Sequence, residues 1–258
     1  MDLKGKTAII TGASRGIGYK VAEKLASQGV HVMIAAREKQ TLDKAVEDIK
    51  KKAASGTKVF GVVTDVAKLA DLENLYNEAK KQFGHLDILV NNAGVSSQYS
   101  FEKQPIEDIE KLVMTNYLGY VRLIRLAIND MIGRKQGAII NMVSGSTLVD
   151  PVPRGFVTYS SIKVGLKAFL KGLFWEMRDH GIKITSILPG VVDTDLTGKL
   201  QDITSEQKDR LMSADAVVDM VMFALSVPSN ACPLELAVIN QQTPWTKPVI
   251  DFKQEQAK

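Results

Sequence analysis

Three tyrosines in this chain are followed four positions later by a lysine: Tyr76/Lys80, Tyr99/Lys103 and Tyr159/Lys163. On a helix that spacing puts both side chains on one face, a turn apart. A phenol so placed can give its proton to an oxygen that becomes negative as a carbonyl is reduced. The neighbouring ammonium would lower a phenol pKa that is ordinarily about 10. With six tyrosines in 258 residues, roughly 0.6 such pairs arise by chance, so context has to choose. Tyr76 and Lys80 fall mid-helix in a crossover segment, Leu72 to Phe83, where surface packing accounts for them. Tyr99 follows a strand, but the polar run before Pro105 reads as a loop, in which a spacing of four aligns nothing; it is a candidate pocket wall. Tyr159 opens a helix beyond a strand that ends in hydroxyls, within Thr158-Tyr159-Ser160-Ser161-Ile162-Lys163. Tyr159/Lys163 is the pair selected. That strand, Gly137 to Val143, delivers Ser144 at its carboxyl end and Ser146 two residues on, and either hydroxyl could donate to a developing oxyanion.

A second constellation lies near the N-terminus, in Thr11-Gly12-Ala13-Ser14-Arg15-Gly16-Ile17-Gly18 between a strand and a helix. Gly12 suits the tight turn, Gly16 lets backbone approach a pyrophosphate, and Gly18 lets the helix pack closely. The helix N-terminus then offers free N–H groups to phosphates. The end of the second strand reads Ala35-Ala36-Arg37-Glu38. An alanine stands where an acidic residue would hold a ribose 2′-OH. Arg15 and Arg37 could instead grip a 2′-phosphate, which reads as NADP(H). Glu38 is the counter-indication, since a one-residue register shift brings it to the ribose, and Arg37 also reads as a solvated helix-start residue. Asp65, with Val66 after it, could meet an adenine edge or cap the next helix. Asn91-Asn92-Ala93-Gly94 could let backbone pass close to a ribose, or be an ordinary turn.

The elements that must position these groups alternate along the whole chain. Candidate strands are 7–11, 30–36, 59–64, 86–90, 138–143, 182–188 and 234–239; candidate helices are 16–28, 38–53, 68–83, 105–132, 156–180 and 207–226. The nearly continuous apolar strands suit a parallel sheet covered on both faces. Strand–helix alternation then gives an α/β, doubly wound Rossmann-like sheet of about seven strands, with ligands beyond the strands' carboxyl ends. One domain is expected over residues 1–246, with 247–258 a loose polar tail. Composition agrees: 45% hydrophobic, 24% charged, net charge +4 and mean hydropathy near zero describe an ordinary globular protein. The charge is too small and too interspersed to argue for nucleic acid. Lys50-Lys51-Lys52 reads as the last turn of a helix. No apolar run is long enough for a membrane span, no secretory leader is recognisable, and the single Cys232 fits a reducing, cytoplasmic setting. His31, His85 and His180 are scattered, so no metal is expected.

Taken together, the chain resembles the short-chain dehydrogenases/reductases over residues 4 to 240. The match rests on Thr11-Gly12-x-x-x-Gly16-x-Gly18, Asn91-Asn92-Ala93-Gly94, Asn116, Ser144, Tyr159-x-x-x-Lys163 and Pro189-Gly190 in family order. The resemblance implies an acid/base role for Tyr159 and a ribose-binding, pKa-lowering role for Lys163. It also implies that Ser144 orients the carbonyl and that Asn116 holds a water linked to Lys163. By itself Asn116, in Met114-Thr115-Asn116-Tyr117, reads as a helix-packing amide. Ser14, Ile17, Asp65, Val66, Asn92, Ala93 and Gly94 would line the cofactor. Pro189, Gly190, Val192 and Thr194 would run along its nicotinamide, and Arg15 with Arg37 matches NADP-preferring members.

Two features depart from the family. Its serine usually precedes the tyrosine by 13 residues, the position of Ser146, whereas Ser144 precedes it by 15; strand register favours Ser144. The Gly-rich ending of tetrameric members is replaced by Cys232-Pro233-Leu234-Glu235-Leu236, which makes a homodimer through the two long helices the expectation. The expected activity is reduction of a small-molecule ketone, diketone or 3-oxoacyl group, reversible to alcohol oxidation. Substrate walls are expected from Val95–Phe101, Thr147–Phe156 and Asp193–Ala214, with a lid after Thr194 hinged at Gly198. A sugar-nucleotide epimerase would show a Gly-x-x-Gly-x-x-Gly turn and a longer C-terminal domain. A non-catalytic NADPH-binding redox sensor would not need all four catalytic positions filled.

Overall fold

The computed structural model describes residues 2–150, 152, 155–195 and 205–244. Seven strands form one parallel sheet: β1 (Thr7–Thr11), β2 (His31–Ala36), β3 (Val59–Val63), β4 (Ile88–Asn91), β5 (Gly137–Met142), β6 (Ile182–Pro189) and β7 (Glu235–Val238). Their order across the sheet is β3-β2-β1-β4-β5-β6-β7. The order reverses between β1 and β4, so the ends of those two strands open a crevice, the usual ligand position in such sheets. The helices are α1 (Gly16–Ser27), α2 (Lys39–Lys52), α3 (Leu69–Phe83), α4 (Ile106–Val113), α5 (Gly119–Arg134), α6 (Val157–Met177) and α7 (Ala214–Ser226).

Alternation along each strand divides its apolar residues between two cores. Ala8, Ile10, Ile88, Val90, Ala138 and Ile140 pack with α1, α2 and α7 through Val21, Leu25, Leu42, Ile49, Val217 and Val221. Ile9, Leu89, Ile139, Ile184 and Leu188 face the other way, onto Leu72, Leu75, Leu123, Ile124, Leu166 and Leu170 of α3, α5 and α6. Each fully buried Leu, Ile or Val adds about 1.5–3 kcal/mol. Strands apolar on both sides therefore accept a cover on both sides only. The doubly wound reading holds.

Two expected helices are interrupted. The periodic run 105–132 is α4, then a π-helical turn Met114–Leu118, then α5. An i→i+5 turn inserts one residue without disturbing the apolar stripe on either side, so a 3.6-residue reading passes over it. The run 207–226 is a 3₁₀ segment, Ser205–Arg210, separated from α7, whose Ser213 accepts the Asp215 N–H at 3.1 Å as N-cap. Lys50, Lys51 and Lys52 do close the last turn of α2, and Lys50 and Lys51 pair back to Glu47 and Asp48 at 2.8 Å. Gly198 and the tail 247–258 lie outside the described residues.

The amino edge of the sheet, opposite the crevice, is tied by one carboxylate. Asp87, buried just before β4, accepts the Thr7 N–H at 3.0 Å and an Arg134 guanidinium N–H at 2.9 Å, with His85 at 3.2 Å and Lys6 at 3.8 Å. Arg134 also donates to the Leu86 carbonyl. Burial pushes the Asp87 pKa up, but the Thr7 N–H, Arg134, Lys6 and His85 outweigh it and hold the carboxyl below its usual range. Its contribution is therefore complete above the ordinary aspartate pKa and is lost as pH falls through the depressed one. Asp87→Asn takes the nearest carboxylate from Arg134, leaving it the Leu86 carbonyl and Asp130 at 3.6 Å, and should lower stability by about 2 kcal/mol at pH 7 in urea unfolding. A loss under about 1 kcal/mol would show that the cluster is incidental.

Candidate active site

The crevice is a cleft of about 370 Å³ at the carboxyl ends of β1 to β6. Of the residues expected to bind or act there, all except Gly18 line it. Gly18 serves it from behind: a Cβ there would overlap the Asn92 amide and come 2.6 Å from the Gly12 carbonyl. Gly12 sits at φ +64°, with Ala93 Cα only 2.8 Å from where its Cβ would be. The glycine turn is thus pressed against the end of β4, and Asn92 sews the two together. Its side-chain amide donates to the Thr11 and Gly12 carbonyls at 2.9 and 3.1 Å, while the backbone N–H groups of Asn92 and Ala93 donate to Thr11 Oγ1 at 3.0 and 3.1 Å.

The start of α1 has no side-chain cap and no acidic residue in its first turn. Its first N–H groups and the positive end of the helix dipole therefore face the cleft without an internal counter-charge. That cradle fits a phosphate, and a side chain at Gly12 or Gly18 would collapse it.

At the outer end stand Ala36, Arg37, Glu38 and Thr41. Glu38 N-caps α2 by its backbone position, and its carboxylate accepts the Thr41 hydroxyl at 3.4 Å. Arg37 is exposed. Arg15 makes an ion pair with Asp195 at 2.9 Å. Asp195 carried no signal in the sequence beyond its place in an expected wall. Asp65 lines the cleft but does not cap α3, whose N-cap position is Lys68; its carboxylate instead accepts the Ala67 N–H at 3.1 Å in a local turn. The helix begins three residues later than Asp65 would need for capping.

The inner end gathers the reactive groups. Ser144 follows β5 in extended conformation and lines the cleft together with Tyr159, whose pKa its hydroxyl lowers. The Ser144 oxygen also accepts the Ser146 N–H at 3.1 Å. Ser146 Oγ is buried with no protein partner. Of the two serines the structure brings Ser144, not Ser146, to the tyrosine, because the 3₁₀ turn Gly145–Leu148 carries the chain away between them.

Tyr159 lies in the first turn of α6 and Lys163 one turn on. Lys163 is 3% exposed, donates from Nζ to the Met142 carbonyl at 2.8 Å, and stands 6.0 Å from the Tyr159 ring centre. Burial brings its pKa down to about 7. Burial also raises that of Tyr159, with the Ser144 hydroxyl opposing it, so the removal of water is the largest influence on both groups.

Asn116 is fully buried in the π-helical turn. Its amide accepts the Val95 N–H at 2.9 Å and donates to the Val95 carbonyl at 2.8 Å. The side chain ties the loop after β4 to the helix. Pro189 to Thr194 is held in turn by Asn240, which accepts the Val191 N–H at 2.7 Å and donates to the Val191 and Arg210 carbonyls at 2.8 Å. Sequence reasoning missed Asn240, which stands in a segment without periodicity. It also passed over Thr64, Met142 and Val143, although each lies at a strand end, the place the fold rule pointed to.

The rejected pairs are elsewhere. Lys80 bonds Asp130 at 2.6 Å. Tyr99 donates its backbone N–H to the Gly155 carbonyl at 3.0 Å, so the two expected walls meet there, but neither residue lines the cleft. Of the described residues in the expected substrate walls, Val95, Thr194 and Asp195 line it. Among the described residues no group of three or more His, Cys, Asp or Glu is gathered as for a metal ion, and no helix is long and apolar enough to cross a membrane.

Residues 6–204 match the family profile described as short chain dehydrogenase. An uncharacterized oxidoreductase of Staphylococcus saprophyticus is 32% identical over 240 residues, 92% of this chain and 98% of that protein. A 3-oxoacyl-[acyl-carrier-protein] reductase of Staphylococcus aureus is 33% identical over 204 residues, 78% of this chain and 80% of that one. Among solved structures, an alcohol dehydrogenase from Thermococcus sibiricus complexed with 5-hydroxy-NADP superposes with a TM-score of 0.82 at 26% identity, covering 93% of this chain and 98% of that one. L-sorbose reductase from Gluconobacter frateurii, complexed with NADPH and L-sorbose, gives 0.81 at 28% identity, covering 93% and 98%. With its sheet order, its glycine turn and its Ser144–Tyr159–Lys163 cluster, the chain belongs to the short-chain dehydrogenase/reductase family of oxidoreductases.

Proposed function

We propose that this protein is an NADPH-dependent reductase that converts a ketone to an alcohol, with Tyr159 as the proton donor. The observation that carries the reading is that Ser144, Tyr159 and a buried Lys163 one turn along line the inner end of a cleft whose other end is an uncapped helix N-terminus. Gly12, Gly16 and the start of α1 would hold the pyrophosphate, Arg15 and Arg37 the 2′-phosphate, and Lys163 the nicotinamide ribose. Bound there, NADPH supplies the hydride.

The protein's own groups manage the proton. Ser144 donates to the substrate oxygen, and Tyr159 gives that oxygen its proton as the carbonyl carbon becomes tetrahedral. Burial raises the phenol's pKa, so it enters the step carrying the proton it donates. The Lys163 ammonium then faces a phenolate, and the proton is restored through it. Asn116 holds Val95 and the π turn beside this pair.

Leu148, Val157, Tyr99 and Phe101 do not line the cleft but are exposed on the segments that follow β4 and β5 or begin α6, which suits a substrate whose aliphatic part extends beyond it. The two relatives named for reducing a 3-oxoacyl group and L-sorbose support a ketone as the reacting group. A homodimer through α5 and α6 belongs to the same reading, with Val164 and Trp175 exposed on α6.

Tyr159→Phe should cut kcat by about a thousandfold while NADPH binding, followed by its fluorescence, stays within a few fold; a variant keeping a tenth of the parent turnover would sink the mechanism. Ser144→Ala should cost roughly a hundredfold in kcat and Ser146→Ala no more than a few fold. The reverse ranking would move the carbonyl contact to Ser146. Arg37→Ala should raise the KM for NADPH by about tenfold or more and leave that for NADH nearly unchanged. Equal kcat/KM for the two dinucleotides in the parent enzyme would refute the NADP(H) assignment.

A further inference from the structure

Tyr120 lies one residue into α5, 2% exposed and absent from every motif of the sequence. Its hydroxyl donates to the Met142 carbonyl at 3.1 Å, the same oxygen that accepts Lys163 Nζ at 2.8 Å. Lys163 Nζ stands 5.0 Å from the centre of the Tyr120 ring, closer than the 6.0 Å to Tyr159. The π-helical turn just before it brings α5 in at this height, and Gly119 lets the backbone come in closely: a Cβ there would meet the Val66 carbonyl at 2.8 Å.

Among the described residues, groups on three elements face the ammonium. From β5 it meets the Met142 carbonyl, from α6 the Tyr159 ring, and from α5 the Tyr120 ring. Asn116 in the π turn is engaged with Val95. Among the described residues no carboxylate offsets the cost of burying Lys163, and burial is the cause of its lowered pKa. In such a place an aromatic face is worth most, because its quadrupole attracts a cation that water no longer solvates.

We propose that Tyr120 is a positioning residue for Lys163: its ring stabilises the ammonium form, and its hydroxyl helps fix the Met142 carbonyl on which that ammonium rests. The proposal concerns how the site keeps Lys163 charged, and so rests on the reading of Tyr159 and Lys163 given above.

The decisive measurement is the titration of Lys163 itself, which does not depend on turnover. Protein labelled with ¹³Cε-lysine is followed by NMR across pH 5 to 10, and the Lys163 signal is identified by its absence in Lys163→Arg. Tyr120→Phe keeps the ring and should leave the midpoint in place. Replacing residue 120 with pentafluorophenylalanine keeps the shape but removes the negative ring face, and should lower the midpoint by about half to one pH unit. Tyr120→Leu should lower it similarly, with the alkaline limb of kcat/KM for ketone reduction moving down by the same amount. Because the fluorinated ring is nearly isosteric with phenylalanine, it decides the matter even where the leucine variant does not fold. Equal midpoints in the phenylalanine and pentafluorophenylalanine proteins would overturn the proposal. If instead Tyr159→Phe proved active while the midpoints moved, the charge effect would stand and the catalytic reading would fall.

Discussion

An ammonium buried in an apolar wall has to find an acceptor, and Lys163 finds the carbonyl of Met142 at the last residue of β5. That contact ties three parts of the molecule together. The sheet supplies the acceptor, α6 carries the lysine together with Tyr159 a turn before it, and α5 adds the Tyr120 hydroxyl to the same oxygen. An isolated buried charge would cost several kcal/mol, so the strand end and both helices are held to one geometry. Ser144 emerges two residues after that carbonyl and meets the tyrosine because of it.

The other end of the cleft is organised by the opposite device: groups left without partners. The start of α1 keeps its N–H groups uncapped, and the glycine turn before it is held open by being packed against Ala93 and sewn to Asn92. Three asparagine side chains hold the segments around the cleft in place. Asn92 braces the turn, Asn116 braces the loop after β4, and Asn240 braces the stretch from Pro189. Rigid bracing of this kind places reacting groups with small tolerance, as proton transfer over a hydrogen bond demands.

The two edges of the sheet divide the work. At the amino edge Asp87 gathers Thr7, Arg134, Lys6 and His85 into a closed charge cluster. At the carboxyl edge the cleft exposes an uncapped helix end and an ammonium that, among the described residues, rests on a backbone carbonyl. Charge is satisfied where the fold is anchored and left partly unsatisfied where a ligand is to be held.

The alternation of strands and helices, the parallel sheet and its two faces were legible in the residues alone, because burial on both sides leaves a period in the apolar pattern. So were the glycine turn and Tyr159 with Lys163, since contiguous residues on one turn or one helix face carry their geometry locally. Other features had no local signal. The π-helical turn at Asn116 inserts a residue without breaking the hydrophobic stripe. Ser144 and Ser146 differ only in which way a 3₁₀ turn departs. Asp195 reaches Arg15, Tyr120 reaches Lys163 and Asn240 reaches Val191 across many tens of residues. The burial of Tyr159 and Lys163 had no local signal either, because spacing places a charge but says nothing of the water removed around it. Short-range periodicity determined which elements exist and which residues could react. The packing of distant elements decided which of them touch and how dry their surroundings are, since burial is a property of the whole assembly.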